Sequence, residues 1–275
     1  MSVRSCFREW PIWLATLTAG FLILLNSWQG NAVATLPPTS QIAQSGGQFQ
    51  VAYSPVKNAE FAPFRQVMQE SRLYETIAEE LNKVLLLPTD VTIALAECGT
   101  ENAFYSADHK SIVMCDELLA YFGRLFAPTA TSDQDLGESM LYTNLFVFFH
   151  ELGHGLIDLY DLPTTGREED AVDEFSTILL LEAGTDGEKA VLNAAHWFAL
   201  QSEQPSEDLA FWDEHSLDLQ RFYGIACLVY GKDPEKFSDL VKEGLLPEAR
   251  AQRCGREYAK KSQSWDKLLV PHVRS

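Results

Sequence analysis

The sequence predicts an α+β fold, mostly helical, with a small and partly antiparallel sheet placed ahead of one long buried helix. Three observations carry this. Residues 136–159 hold an apolar run in which Leu145, Phe146, Val147, Phe148, Phe149, Leu152, Leu156 and Ile157 cover nearly every helical face, as in a helix surrounded by core. Ahead of it, Val91–Ala96 alternates and is rich in β-branched residues, and the stretch from Glu101 to Cys115 splits at Ser106-Ala107-Asp108 as a hairpin does. After it, segments of helical period continue towards the end of the chain.

Taken in order, Arg4 and Arg8 precede an uncharged stretch, PIWLATLTAGFLILL, and Ala32-Val33-Ala34 has the small-x-small form of a processing site. This is the layout of a secretory signal peptide over residues 1–34. An uncleaved anchor is the alternative, because the apolar run from Trp10 to Trp28 is just long enough to cross a bilayer. Either way the remainder is expected on the far side of the membrane, periplasmic or secreted. Residues 35–58 are rich in Ser, Gln, Gly and Pro and nearly uncharged, and read as a flexible leader. Residues 59–275 then form one domain, with the sheet and buried helix in 59–160 and a helical lobe in 161–275.

Within the domain, Phe61 to Leu85 carries a helical stripe through Phe64, Val67, Met68, Leu73, Ile77, Leu81 and Val84. Val91–Ala96 is a strand, and Ser111–Cys115 is the return strand of the hairpin. The buried helix stops at Asp161-Leu162-Pro163, since the residue before a proline is steered out of the helical region. Thr165 and Glu168 have capping-box spacing and open a helix over 167–183. Further helices are predicted over 186–203, 208–231, 233–243 and 247–262, with Asp233-Pro234 as a start signal and Gly244 as a stop.

The formal net charge is −18, and loss of residues 1–34 removes two basic residues and one acidic one. Such a surface repels nucleic acid and anionic lipid, so neither is an expected partner. A membrane enters only through an uncleaved N-terminal segment. Of the five cysteines Cys6 leaves with the signal, and an even set remains: Cys98, Cys115, Cys227 and Cys254. Two disulfides suit an exported protein, and Cys98–Cys115 with Cys227–Cys254 is the favoured pairing because each closes a local loop.

Chemistry is concentrated in His150-Glu151-Leu152-Gly153-His154, which lies inside the apolar run. On a helix, positions i and i+4 share a face, so both imidazoles can reach one ion while Glu151 stands beside them. Buried imidazoles and a carboxylate are costly unless compensated, and a divalent zinc ion compensates them. The plain alternative is a pair of core histidines satisfied by hydrogen bonds. A catalytic zinc takes three protein ligands, and Ile157 and Tyr160 stand where the longer H-E-x-x-H-x-x-G-x-x-H motif needs Gly and His. The third ligand is therefore expected from the acidic helix that follows, where Glu169 and Asp173 are i and i+4. Glu169 would bind the metal and Asp173 would accept a hydrogen bond from a ligand histidine. Asp170, Asp173 and Glu168 are alternative ligands, with His196 and His215 as weaker ones.

With these motifs the chain resembles the gluzincins, zinc peptidases in which an H-E-x-x-H helix is followed by an E-x-x-x-D helix. Asn102-Ala103-Phe104-Tyr105 resembles the edge strand of thermolysin, which implies that Asn102 and Ala103 hold an extended substrate peptide. Over roughly residues 70–260, the segments NAFY, IVMCDEL, HELGH, GREEDAVDEF and DEHSLDLQRFYGIACLVYG resemble a family of exported bacterial proteins regarded as metallopeptidases. The resemblance implies a zinc metallopeptidase that hydrolyses peptide bonds, with zinc-activated water as nucleophile and Glu151 as general base. Gluzincins recruit an oxyanion donor from a downstream helix; His215, oriented by Asp213 or Glu214, is the expected group and Tyr223 its alternative. The competing reading is a zinc-stabilised envelope protein that binds peptides or a partner without cleaving them.

Overall fold

The computed structural model describes residues 46–203 and 213–274. The expected signal peptide lies outside the described residues, as do the start of the expected leader and part of the helix predicted from residue 208. The fold is α+β: nine α-helices among the described residues surround and extend a four-stranded mixed sheet.

The sheet order is β1-β2-β4-β3, formed by β1 (Phe49–Tyr53), β2 (Val91–Ala96), β3 (Ala103–Ser106) and β4 (Ser111–Cys115). β1 and β4 flank β2 in parallel, while β3 pairs antiparallel with β4, with Phe104 opposite Val113. The hairpin and β2 stand where the alternation of the sequence puts them. β1 corrects the expected flexible leader, which ran through residue 58. Its composition is that of a linker, yet Phe49, Val51 and Tyr53 alternate towards the core, and the Asn82 side chain holds Phe49 by both its N–H (2.7 Å) and its carbonyl (3.0 Å). A strand stabilised by a partner some forty residues away leaves little mark on local composition.

The stripe over residues 61–85 splits into α1 (Ala62–Ser71) and α2 (Leu73–Val84), because Arg72 takes a left-handed conformation, φ 53°. α3 (Asp116–Phe126) was not anticipated. It starts directly at the end of β4 with two acids in its first turn, and it buries Leu118, Leu119, Phe122 and Phe126. Asp116 is buried against Arg65 of α1 at 2.5 Å.

α4 (Asp133–Tyr160) is the long buried helix. It begins earlier than predicted because Ser132 caps it, accepting from the Asp135 N–H at 3.1 Å. Its side chains from Met140 to Ile157 are buried almost without interruption. After a turn at Asp161 (φ 50°) the chain returns as α5 (Glu168–Glu182). The approach of these two helices is set by Gly153, where a Cβ would stand 2.8 Å from Val172. α6 (Thr185–Ser202) packs on α4, and α7 (Asp218–Lys232) packs on α6 and on α9 (Glu248–Leu269). The helix predicted over 233–243 is reduced to α8 (Asp239–Lys242), preceded by turns; α9 runs further than predicted.

Both expected disulfides are present, Cys98–Cys115 and Cys227–Cys254. They accord with an oxidising, exported environment. Among the described residues no helix is long and apolar enough to cross a membrane.

Candidate metal centre

His150 and His154 project from successive turns of α4 towards the first turn of α5, and their Nε2 atoms meet the two carboxylate oxygens of Glu169. The separations are 3.1 Å from His150 and 3.2 Å from His154. One donor atom from each of the three residues lies within 4.8 Å of the others. These separations are close to the roughly 3.3 Å edge of a tetrahedron with arms of about 2.0–2.1 Å, the geometry that zinc takes with imidazole and carboxylate.

The far side of each ring is already occupied. His150 Nδ1 lies 2.8 Å from Asp173, and His154 Nδ1 lies 2.7 Å from Glu168. Each carboxylate therefore holds the proton on Nδ1 and leaves Nε2 to face Glu169. Asp173 is in turn gripped by the Arg221 guanidinium through two bonds of 2.7 Å. The capping box expected of Thr165 and Glu168 does not form. Arg167 occupies the N-cap position, and Glu168 turns to His154 instead. A charged partner in a partly buried site outcompetes a solvent-exposed cap.

Electrostatically the site calls for positive charge. Burial lowers the affinity of the His154 ring for a proton, but Glu169 and Glu168 override it and push its pKa up to about 9. His150 moves the same way: burial opposes the charge, and Asp173 and Glu169 restore it. Burial alone would raise the Asp173 carboxyl, but Arg221 and His150 hold it down at about 2. Glu169 is likewise held far below the carboxylate range, against burial, by hydrogen bonds from His150, His154 and His215. Glu151 behaves in the opposite sense. Burial raises it more than the neighbouring imidazoles lower it, and it is 7% exposed. A carboxyl whose pKa is lifted by its surroundings suits a group that must both take and release a proton.

The donor set is thus two imidazole nitrogens and one carboxylate, with orienting carboxylates behind the rings, and it fits a divalent ion that prefers nitrogen and oxygen ligands. The second cluster of ligand-type side chains among the described residues, Cys98, Cys115 and Glu117, does not fit, because its two sulfurs are joined to each other.

The centre opens into a cleft of about 550 Å³ whose walls include Asn102, Ala103, Glu151, Trp197 and His215. β3 is an edge strand of the sheet and borders this cleft. His215 reaches Glu169 with Nε2 at 3.1 Å and holds Asp213 with Nδ1 at 3.0 Å, and its carbonyl accepts from Arg167. Of its two expected orienting partners, Asp213 makes the contact. Tyr223 packs on the cluster between α7 and α9, away from the cleft, and His196 packs against the Phe126 ring.

Two features of the site escape sequence reasoning. Arg221 lies 48 residues beyond Asp173, and no spacing rule connects them. The second is a clamp built on Tyr105. Its backbone lowers the Glu151 pKa slightly against the larger effect of burial, its ring lies over Gly155, and its hydroxyl donates to Asp158 at 2.7 Å. Asp158 stands four residues after His154 and so shares its face of α4, a signal that was legible.

A family model described as "Putative metallopeptidase" matches residues 53–269, and the chain belongs to that family. No curated protein and no solved structure matches it.

Proposed function

We propose that this metallopeptidase-family protein is a zinc-dependent peptidase of gluzincin arrangement, acting on peptides outside the cytoplasm. The observation that carries the reading is the convergence of His150 Nε2, His154 Nε2 and the Glu169 carboxylate beside the buried Glu151, at the wall of an open cleft. His150, His154 and Glu169 would hold the metal. When bound, zinc supplies a Lewis acid that acidifies water and polarises the scissile carbonyl.

The remaining work falls to the chain itself. Glu151 takes the proton of the attacking water and delivers it to the leaving nitrogen, a task its raised pKa favours. His215, steadied by Asp213, donates to the carbonyl oxygen as charge develops there. Asn102, just before the edge strand, and Ala103, its first residue, hold the substrate backbone in extended form. Asp173 fixes the tautomer of His150, and Arg221 fixes Asp173.

The test is zinc content together with hydrolysis of a broad peptide library, for the native protein and Glu151→Gln. We expect about one zinc per chain in both, and a loss of rate of about 10²–10⁴-fold in the variant. Zinc retained by both with no peptide cleaved by either would establish the non-catalytic binding protein instead. No zinc in the native protein would remove the reading altogether.

A further inference from the structure

The net charge of −18 conceals a segregated patch of opposite sign on α9. This helix buries Ala251, Cys254, Trp265 and Leu269 against the rest of the fold. At 100° per residue, Arg253, Arg256, Lys260 and Lys267 fall within a sector of about 60° on the opposite side, and all four are exposed. No carboxylate shares that sector. Glu248 and Asp266 lie on one flank, and Glu257 on the other is engaged by Arg250 at 2.7 Å. Among the described residues, none of the four cations has a carboxylate within 4.0 Å, whereas Lys261 at the flank is paired with Glu174.

A solvated helix face ordinarily interleaves opposite charges one turn apart, which stabilises the helix. This chain has 39 acidic residues against 21 basic ones, yet it keeps the sector free of acids and accepts the mutual repulsion of the cations. We infer that the Arg253–Lys267 face of α9 is a docking surface for an anionic lipid bilayer.

Charge complementarity and the length of the cationic row suit a flat anionic surface. The four cations lie on one face of α9 over about 21 Å of its length, a row that can lie flat along an anionic surface. Just past Lys267, the exposed Val270 adds an apolar contact. The sequence also carries the uncharged stretch from Trp10 to Trp28, which, as the export signal its layout predicts, would bring the chain to a membrane. The rest of the acidic body does not cancel the attraction. At physiological ionic strength the screening length is about 8 Å, so the charges that count are those on the face in contact. Each Lys or Arg at an anionic leaflet raises partitioning about fivefold, so four together raise it by several hundredfold. Whole-chain charge argued against anionic lipid; the distribution of charge argues for it at this one face.

The experiment is vesicle co-sedimentation of the full chain, native and R253E/R256E/K260E/K267E, as the phosphatidylglycerol content of phosphatidylcholine vesicles rises from none to half. Binding to neutral vesicles reads any contribution of the N-terminal segment; the increment with anionic lipid reads α9. We expect a hundredfold or larger increment for the native chain, abolished by 1 M salt and absent in the quadruple variant, whose near-ultraviolet circular dichroism stays native. An increment that survives in the folded quadruple variant, or no increment in the native chain, overturns the inference. So does tighter binding of duplex DNA or polyglutamate than of the anionic vesicles.

Discussion

The Tyr105 hydroxyl donates to Asp158 at 2.7 Å, and this bond ties the edge strand of the sheet to the helix that carries His150, Glu151 and His154. Lys110 meets the same carboxylate oxygen at 2.6 Å, so the far end of the hairpin is tied down as well. The ring of Tyr105 meanwhile rests on Gly155, where an added Cβ would come within 3.2 Å of it. Gly155→Ala should therefore push β3 away from α4. The expected result is unchanged zinc content, a rise in KM for peptides of at least tenfold, and a smaller change in kcat. Tyr105→Phe keeps the ring and removes one hydrogen bond, and should cost only about 1 kcal/mol of stability.

The Asp173–Arg221 pair lies almost wholly inside the protein, with side-chain exposures of 9% and 11%. Asp173→Asn leaves a buried guanidinium without its counter-charge, and urea unfolding should show a loss of about 3–5 kcal/mol. His150 loses its orienting carboxylate at the same time, so zinc affinity should fall about 10–100-fold. Adding Arg221→Met to Asp173→Asn should restore part of the stability and none of the zinc affinity. Recovery of both would show that Asp173 acts on the fold alone.

Zinc uptake should release protons at neutral pH. In the metal-free protein the His154 pKa is raised to about 9, so the ring is protonated below that value and must lose the proton before it can bind a metal. Apparent affinity should climb with pH up to about 9 and then level off. Calorimetric titration in buffers of different ionisation enthalpy measures the release directly, and its absence at pH 7.5 would mean that His154 is not a ligand.

Glu117 braces the loop that leads into the edge strand, accepting from the N–H groups of Cys98 at 3.0 Å and Gly99 at 2.7 Å. Burial pushes its pKa up, but these two donors and its own backbone N–H together override it and leave it below the usual glutamate range. A depressed folded pKa gives stability that is present above the unfolded value of about 4.3 and is lost as pH falls through the folded value. Glu117→Gln should thus be less stable than the native protein at neutral pH, by about 1 kcal/mol. The two should converge at acid pH in thermal melts.

The disulfides close loops of 17 and 27 residues in sequence separation. Each should contribute roughly 3 kcal/mol by restricting the unfolded chain. Reduction should lower Tm by more than 10 °C in total. Cys98→Ser with Cys115→Ser should also weaken peptide binding, since Cys98 anchors the approach to Asn102.

Local signals carried much of this architecture. Alternation in Val91–Ala96 and in the hairpin, all-round apolarity in α4, and the i, i+4 pairs His150/His154 and Glu169/Asp173 depend on neighbours a turn or a pleat away. Those neighbours stand in the linear text, and the elements appear where it puts them. The cysteine pairing was favoured on the same ground, short separation.

Tertiary structure alone decided the rest. β1 exists because β2 and Asn82 complete its hydrogen bonds, not because of its own composition. Glu168 leaves a capping role for His154 because α4 and α5 come close at Gly153, and Arg221 joins the site because α7 crosses α5 beside Asp173. The basic ridge of α9 vanished in a net charge summed over the whole chain. Each of these depends on contacts or directions across tens of residues of sequence, and the energy that selects them appears only when the packed core brings those segments together.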